Sequence, residues 1–227
     1  MSLLIRHLRC FDRKERFAVL REALGFDEET PCLAGNFRRA LSDCIGVCVP
    51  ERVFLATDYH MDWIELALHR TRHPEIGSGH VFGNPAPERI NENQQDVDLL
   101  VAFEGHLECP QVTYLVMIEA KAYLSWDNRQ LKCKAKRLGK IFGGEGACHD
   151  AVEPRFVLMT AHEPRQIDTV CWPEWTRKGR DPFLLRYDLP GRLEIKRCTE
   201  DGHFSQERSH LCLTRTPPRK ARSERPQ

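Results

Sequence analysis

No stretch of this 227-residue chain approaches the roughly 20 consecutive apolar residues that a helix needs to cross a bilayer. The start, Met1-Ser2-Leu3-Leu4-Ile5-Arg6, has no apolar core of the kind that marks a secretory signal. Both absences point to a cytoplasmic protein with no membrane partner. Charge of one sign is also missing: 34 Lys and Arg against 33 Asp and Glu leave +1, which excludes the global basic field of a histone-like binder. The ten cysteines include no Cys-x-x-Cys pair, and their nearest spacing is Cys44-Ile45-Gly46-Val47-Cys48. Zinc is therefore a weak reading, resting on whether Cys171, Cys198, His203, His210 and Cys212 converge. Free, largely buried thiols in a reducing compartment are expected instead. Gly143-Gly144-Glu145-Gly146 is not followed by Gly-Lys-Ser/Thr, so it reads as a turn rather than a phosphate cradle. No internal repeat is visible.

What is there begins with composition: 41% hydrophobic residues suffice for one sizeable globular domain with decorations. Two apolar runs of strand length carry acids at one end. They are Asp96-Val97-Asp98-Leu99-Leu100-Val101 and Tyr114-Leu115-Val116-Met117-Ile118-Glu119-Ala120-Lys121. Side chains alternate along a strand, so Asp96 and Asp98 share a face, as do Glu119 and Lys121. Neighbouring strands would then present carboxylates beside an ammonium group. Carboxylates on a rigid sheet suit magnesium, and a nearby lysine can orient water or stabilise charge on a phosphate.

Helical periodicity follows. Within Asn128-Arg129-Gln130-Leu131-Lys132-Cys133-Lys134-Ala135-Lys136-Arg137-Leu138, one apolar stripe holds Leu131, Ala135 and Leu138, and Gln130, Lys134 and Arg137 form the adjacent stripe. Lys132, Lys136 and Lys140 add a basic run, read either as a solvated face or as one that follows a polyanion. Thr57-Asp58 reads as a helix start, giving a helix over 57–71.

In order and motif, residues 55–162 resemble the PD-(D/E)XK nuclease superfamily, the restriction-endonuclease-like fold. The elements carrying the likeness are the helix over 57–71, the strand over 95–104 and the Glu-x-Lys strand over 114–122. A second helix over 128–141 and a last core strand over 155–161 complete it. The proline of the family's name is absent, with Gln95-Asp96-Val97-Asp98 in its place. The resemblance implies an α-β-β-β-α-β core with a mixed sheet flanked by helices. It further implies a Mg2+- or Mn2+-dependent endonuclease acting on DNA, in restriction, phage defence or repair, as a homodimer or with a partner subunit. Asp98, which abuts the apolar run, Glu119 and the Ala120 backbone carbonyl would hold metal, with Asp96 an outer neighbour. Lys121 would orient the water, Gln130 and Lys134 would support the phosphate, and Asp62 would complete the acid cluster, Glu65 being its competitor. The alternatives are a catalytically silent nucleic-acid-binding or scaffolding subunit and an unrelated α/β protein with Asp98 and Glu119 far apart.

Around that core, residues 1–50 read as a helical extension, with helices over 12–24 and 34–47. Residues 72–94 read as a loop around a short strand near Val81-Phe82. Residues 163–214 read as a C-terminal extension with strands at 193–197 and 209–214, and residues 215–227 as a basic, disordered tail. His69, His73 and His80 read as loop histidines rather than ligands, and Trp172 and Trp175 as core or lid.

Overall fold

The computed structural model describes residues 2–11, 32–77, 79, 81, 95–105, 112–121, 126–160, 167–186, 192–203 and 210–216. In chain order the elements are α1 (Leu3–Phe11), α2 (Gly35–Ile45), β1 (Phe54–His60), α3 (Met61–Arg72), β2 (Asp96–Glu104), β3 (Thr113–Lys121), α4 (Asn128–Phe142) and β4 (Val152–Thr160). A 3-10 turn (Glu174–Thr176) then leads to β5 (Arg177–Lys178) and β6 (Asp181–Arg186), and β7 (Arg192–Cys198) and β8 (His210–Thr216) follow.

Six strands form one mixed sheet in the order β1-β2-β3-β4-β6-β5. β1, β2 and β3 run antiparallel, while β3–β4 and β4–β6 are parallel. Both faces are covered, which is why the central strands read as continuous apolar runs. On one face Leu100, Leu115, Met117 and Phe156 pack with α1, α3 and α4. On the other, Val101, Val116, Ile118 and Val157 pack against Phe37, Leu41 and Ile45 of α2. Helix α4 obeys its apolar period, burying Leu131, Ala135, Leu138, Ile141 and Phe142. Its first turn is capped by Asp127, whose Oδ1 accepts from the Arg129 N–H at 2.8 Å.

The architecture is thus mixed α/β, with the strands expected over 95–104, 114–122 and 155–161 and the second helix met within a few residues at each end. The first helix is corrected. Residues 54–60 form β1, whose Thr57 pairs with Leu99 and Tyr59 with Val97, and the helix begins only at Met61. Pairing with β2 overrides the local capping signal at Thr57-Asp58, and His60 takes the cap position without a side-chain bond. A strand therefore precedes this helix, so the expected α-β-β-β-α-β order changes: α3 lies between the first and second strands. Val81, expected in a first strand, belongs to no strand and is 99% exposed; Phe82 lies outside the described residues. So do the helix expected over 12–24 and the tail from 217 onward.

The cysteines are corrected as well. Among the described residues eight are free, but Cys32, Cys48, Cys133, Cys148 and Cys171 are exposed and only Cys198 is buried. The exposed ones sit on turns, loops or, for Cys133, a solvent-facing helix stripe. Trp172 and Trp175 lie in the core, and the glycine turn makes room for Trp175. Gly146 has φ +78°, and a Cβ there would stand 2.8 Å from Trp175 Cγ. Trp175 Nε1 donates to the Gly143 carbonyl at 3.0 Å. β7 and β8 pair only with each other. Among the described residues no helix is long and apolar enough to cross a membrane.

Candidate functional site

The β2–β3 register pairs Leu99 with Ile118 and Leu100 with Met117, so one step further along the ladder Asp98 stands opposite Glu119. Asp98 is fixed there: its Oδ2 accepts the Ala120 N–H at 2.7 Å. Glu119 is only 2% exposed, because β3 is a central strand beneath α4. From α4, Lys134 reaches down and donates to Glu119 Oε1 and, at 2.6 Å, to the Asp96 carbonyl. Lys134 itself is buried, so a single ammonium braces β2, β3 and α4 together. Burial pushes the Glu119 carboxyl up to about 7. The Lys134 hydrogen bond and charge oppose that rise, Asp98 adds to it, and Lys121 pulls it down from further off.

β1 brings a residue that motif reasoning missed. Asp58 adopts φ +48° in the middle of the strand, a left-handed conformation that aspartate tolerates better than most side chains. It interrupts the ladder between the Thr57–Leu99 and Tyr59–Val97 pairs, opposite Asp98. The kink is visible in the packing, since Ala56 and Tyr59, an odd number of residues apart, both reach the same core. A cleft of about 550 Å³ opens at this point, lined by Asp58, Asp96, Asp98 and Asp127 together with Gln95. Its other wall is the first two turns of α4, with Arg129, Gln130, Cys133 and Lys134. Asp127 carried a readable signal, an acid just before a periodic helix. Asp58 carried a misleading one, because the same residue types start helices.

The sequence-derived candidates divide. Asp98, Gln130 and Lys134 line the cleft, and Glu119 lies against Lys134 beneath it. Asp96 also lines it, but its Oδ1 is paired with His60 Nδ1, which leaves Asp98 the better-placed acid. Asp62 does not line the cleft; it pairs with Arg137 of α4, and burial raises its carboxyl against the pull of that guanidinium. Glu65 is buried on α3, away from the cleft lining. Lys121, at the end of β3, is half-buried and does not line the cleft either. His69 and His73 lie against each other with ring centroids 4.5 Å apart and planes tilted by 38°, and His80 lies outside the described residues.

The chain matches no family model, no curated protein and no solved structure. The chemistry must therefore be judged from the donors. Among the described residues, no three His, Cys, Asp or Glu side chains gather into a metal-holding group, and this includes the Cys/His set near the C-terminus. Magnesium asks for less: one or two carboxylates, its remaining positions going to water and substrate phosphate. Asp98 and Glu119, opposed on neighbouring strands, are such a pair, and Ala120, whose N–H holds Asp98, follows Glu119 on β3. The donor set fits a hard, oxygen-seeking dication.

Proposed function

We propose that the chain is a magnesium-dependent endonuclease of the PD-(D/E)XK type that hydrolyses phosphodiester bonds of DNA. The observation that carries this reading is the opposition of Asp98 and Glu119 across β2 and β3, with Lys134 bonded to Glu119 at the cleft wall. Four aspartates face two cations in the cleft lining, so a phosphodiester entering alone meets net repulsion. A divalent cation reverses that sign. Bound by Asp98, Glu119 and the Ala120 carbonyl, magnesium would supply a water of lowered pKa and a polarised phosphoryl oxygen.

The chain's own groups do the rest. Lys134 keeps the buried Glu119 carboxyl aimed and opposes the rise that burial imposes on it. Gln130, exposed on the cleft wall, donates to a phosphate oxygen. Lys121, two residues beyond Glu119 at the end of β3, would reach in from outside the cleft lining to orient the attacking water. Asp58 takes the third-acid role that Asp62, held by Arg137, does not fill.

The test is nicking of supercoiled plasmid and cutting of single-stranded DNA with Mg2+, Mn2+ or EDTA. Wild type is compared with Glu119→Ala and Asp98→Asn. Cutting that requires metal and is lost in both variants supports the assignment. Retention of DNA without cutting under any metal would make the chain a catalytically silent binding subunit and overturn it.

A further inference from the structure

The outer face of α4 is chemically one-sided. Its 15 residues include Arg129, Lys132, Lys134, Lys136, Arg137 and Lys140, and no acid. Two of these are buried and committed, Lys134 to Glu119 and Arg137 to Asp62. The other four follow at spacings of three, four and four and are exposed, in a stripe roughly 100° wide on the side away from Leu131 and Leu138. Overall composition does not explain this, since the whole chain balances 34 basic against 33 acidic residues. An ordinary solvated helix mixes signs, because like charges four residues apart repel. Lys132 and Lys136 are such a pair, with no acid on the helix to relieve them.

The stripe is continuous with the cleft, because Arg129 belongs to both and Cys133, exposed beside Lys132, also lines the cleft. It runs about 16 Å along the helix axis, the length of about five phosphates on one strand of a duplex. No large hydrophobic side chain is exposed on α4; those that are exposed among the described residues are Val81, Val170, Ile195, Leu211 and Leu213. A surface that inserts into a bilayer needs apolar side chains beside its basic ones, so a regular polyanion in water fits this face better than an anionic membrane.

We infer that the outer face of α4 is a nucleic-acid backbone track that leads a strand to the cleft at the N-terminal end of the helix. The contacts are to phosphate and therefore independent of sequence. This deepens the nuclease reading, but the track and the hydrolysis are read out separately.

The experiment measures binding of fluorescein-labelled single-stranded and duplex oligonucleotides to the full chain in EDTA, from about 50 to about 200 mM salt. Wild type is compared with the Lys132→Ala/Lys136→Ala double variant. Both positions are exposed and alanine favours helix, so folding is retained. The double variant should lower the slope of log K against log salt by about 1.4 for single strands and about 1.8 for duplex, equally for unrelated sequences. Bound oligonucleotide should also slow maleimide labelling of Cys133 while Cys48 and Cys171, exposed elsewhere, react as before. An unchanged slope with Cys133 unprotected overturns the track. So does lysine-dependent binding to phosphatidylserine vesicles without oligonucleotide binding. A lost slope in a protein that cuts nothing in Mg2+ upholds the track and overturns the hydrolysis. Metal-dependent cutting with an unchanged slope does the reverse.

Discussion

Lys134 shows how much one side chain carries here. Its ammonium is buried with Glu119, and removing one partner of such a pair leaves an uncompensated polar group. Lys134→Met should therefore destabilise the fold by about 3 kcal/mol in urea unfolding. Adding Glu119→Gln should restore much of that loss, because the second variant removes the stranded carboxylate. If the single and double variants unfold at the same midpoint, the brace is not coupled to Glu119. Titration provides a second test, at the α1–α3 contact. His7 Nδ1 lies 3.1 Å from Thr71 Oγ1, and burial, with Arg70 nearby, holds the imidazole below its usual value. The unfolded chain then takes up this proton first, so stability present above pH 6.5 is lost as pH falls below it. Thermal scans should show the midpoint falling through that window, and less steeply in His7→Gln.

At the scale of elements, the long periodic segments were legible. β2, β3 and α4 follow from apolar runs of strand length and a 3.6-residue period, and Asp98, Glu119, Gln130 and Lys134 came with them. β1 was not legible, because its strand character depends on pairing with residues 40 positions away, while Thr57-Asp58 gives a local helix-start signal. Nothing local announces that Asp58 adopts positive φ, and so its place in the cleft was hidden too. Asp62 was misjudged for a related reason: a helical wheel cannot reveal that Arg137 on another helix will claim it. The kink makes its own prediction. Asp58→Gly should gain about 1 kcal/mol by relieving the left-handed backbone and, on the proposed nuclease reading, slow cleavage about tenfold by removing an acid from the cleft. Equilibrium unfolding and plasmid nicking read the two effects separately. By contrast, Gly146→Ala should cost about 2 kcal/mol, since its φ is positive and the new methyl meets the Trp175 ring.

Across the whole molecule, the segment after β4 divides in a way that strand patterns alone did not reveal. β6 docks parallel to β4 and enlarges the main sheet, whereas β7 and β8 stand apart as a ribbon with Ile195, Leu211 and Leu213 exposed. Alternation identifies strands, but the choice of neighbour is made by burial across the entire sheet. The cleft lies where the crossover helix α4 begins, beyond the carboxyl end of β3. Open sheets with parallel strands offer ligand sites in such places because helix and strand diverge there.

β1 forms one edge of that sheet, and its Asp58 faces Asp98 of the adjacent strand. Like charges facing each other weaken an antiparallel pair. A dication held at Asp98, with Asp58 across from it, would therefore act on folding as well as on chemistry, like a rivet at the sheet margin. At 100 times its dissociation constant it would add about 2.7 kcal/mol. Amide exchange along Phe54–His60 should slow when Mg2+ is added and quicken again with chelator, in a protein given no substrate at all.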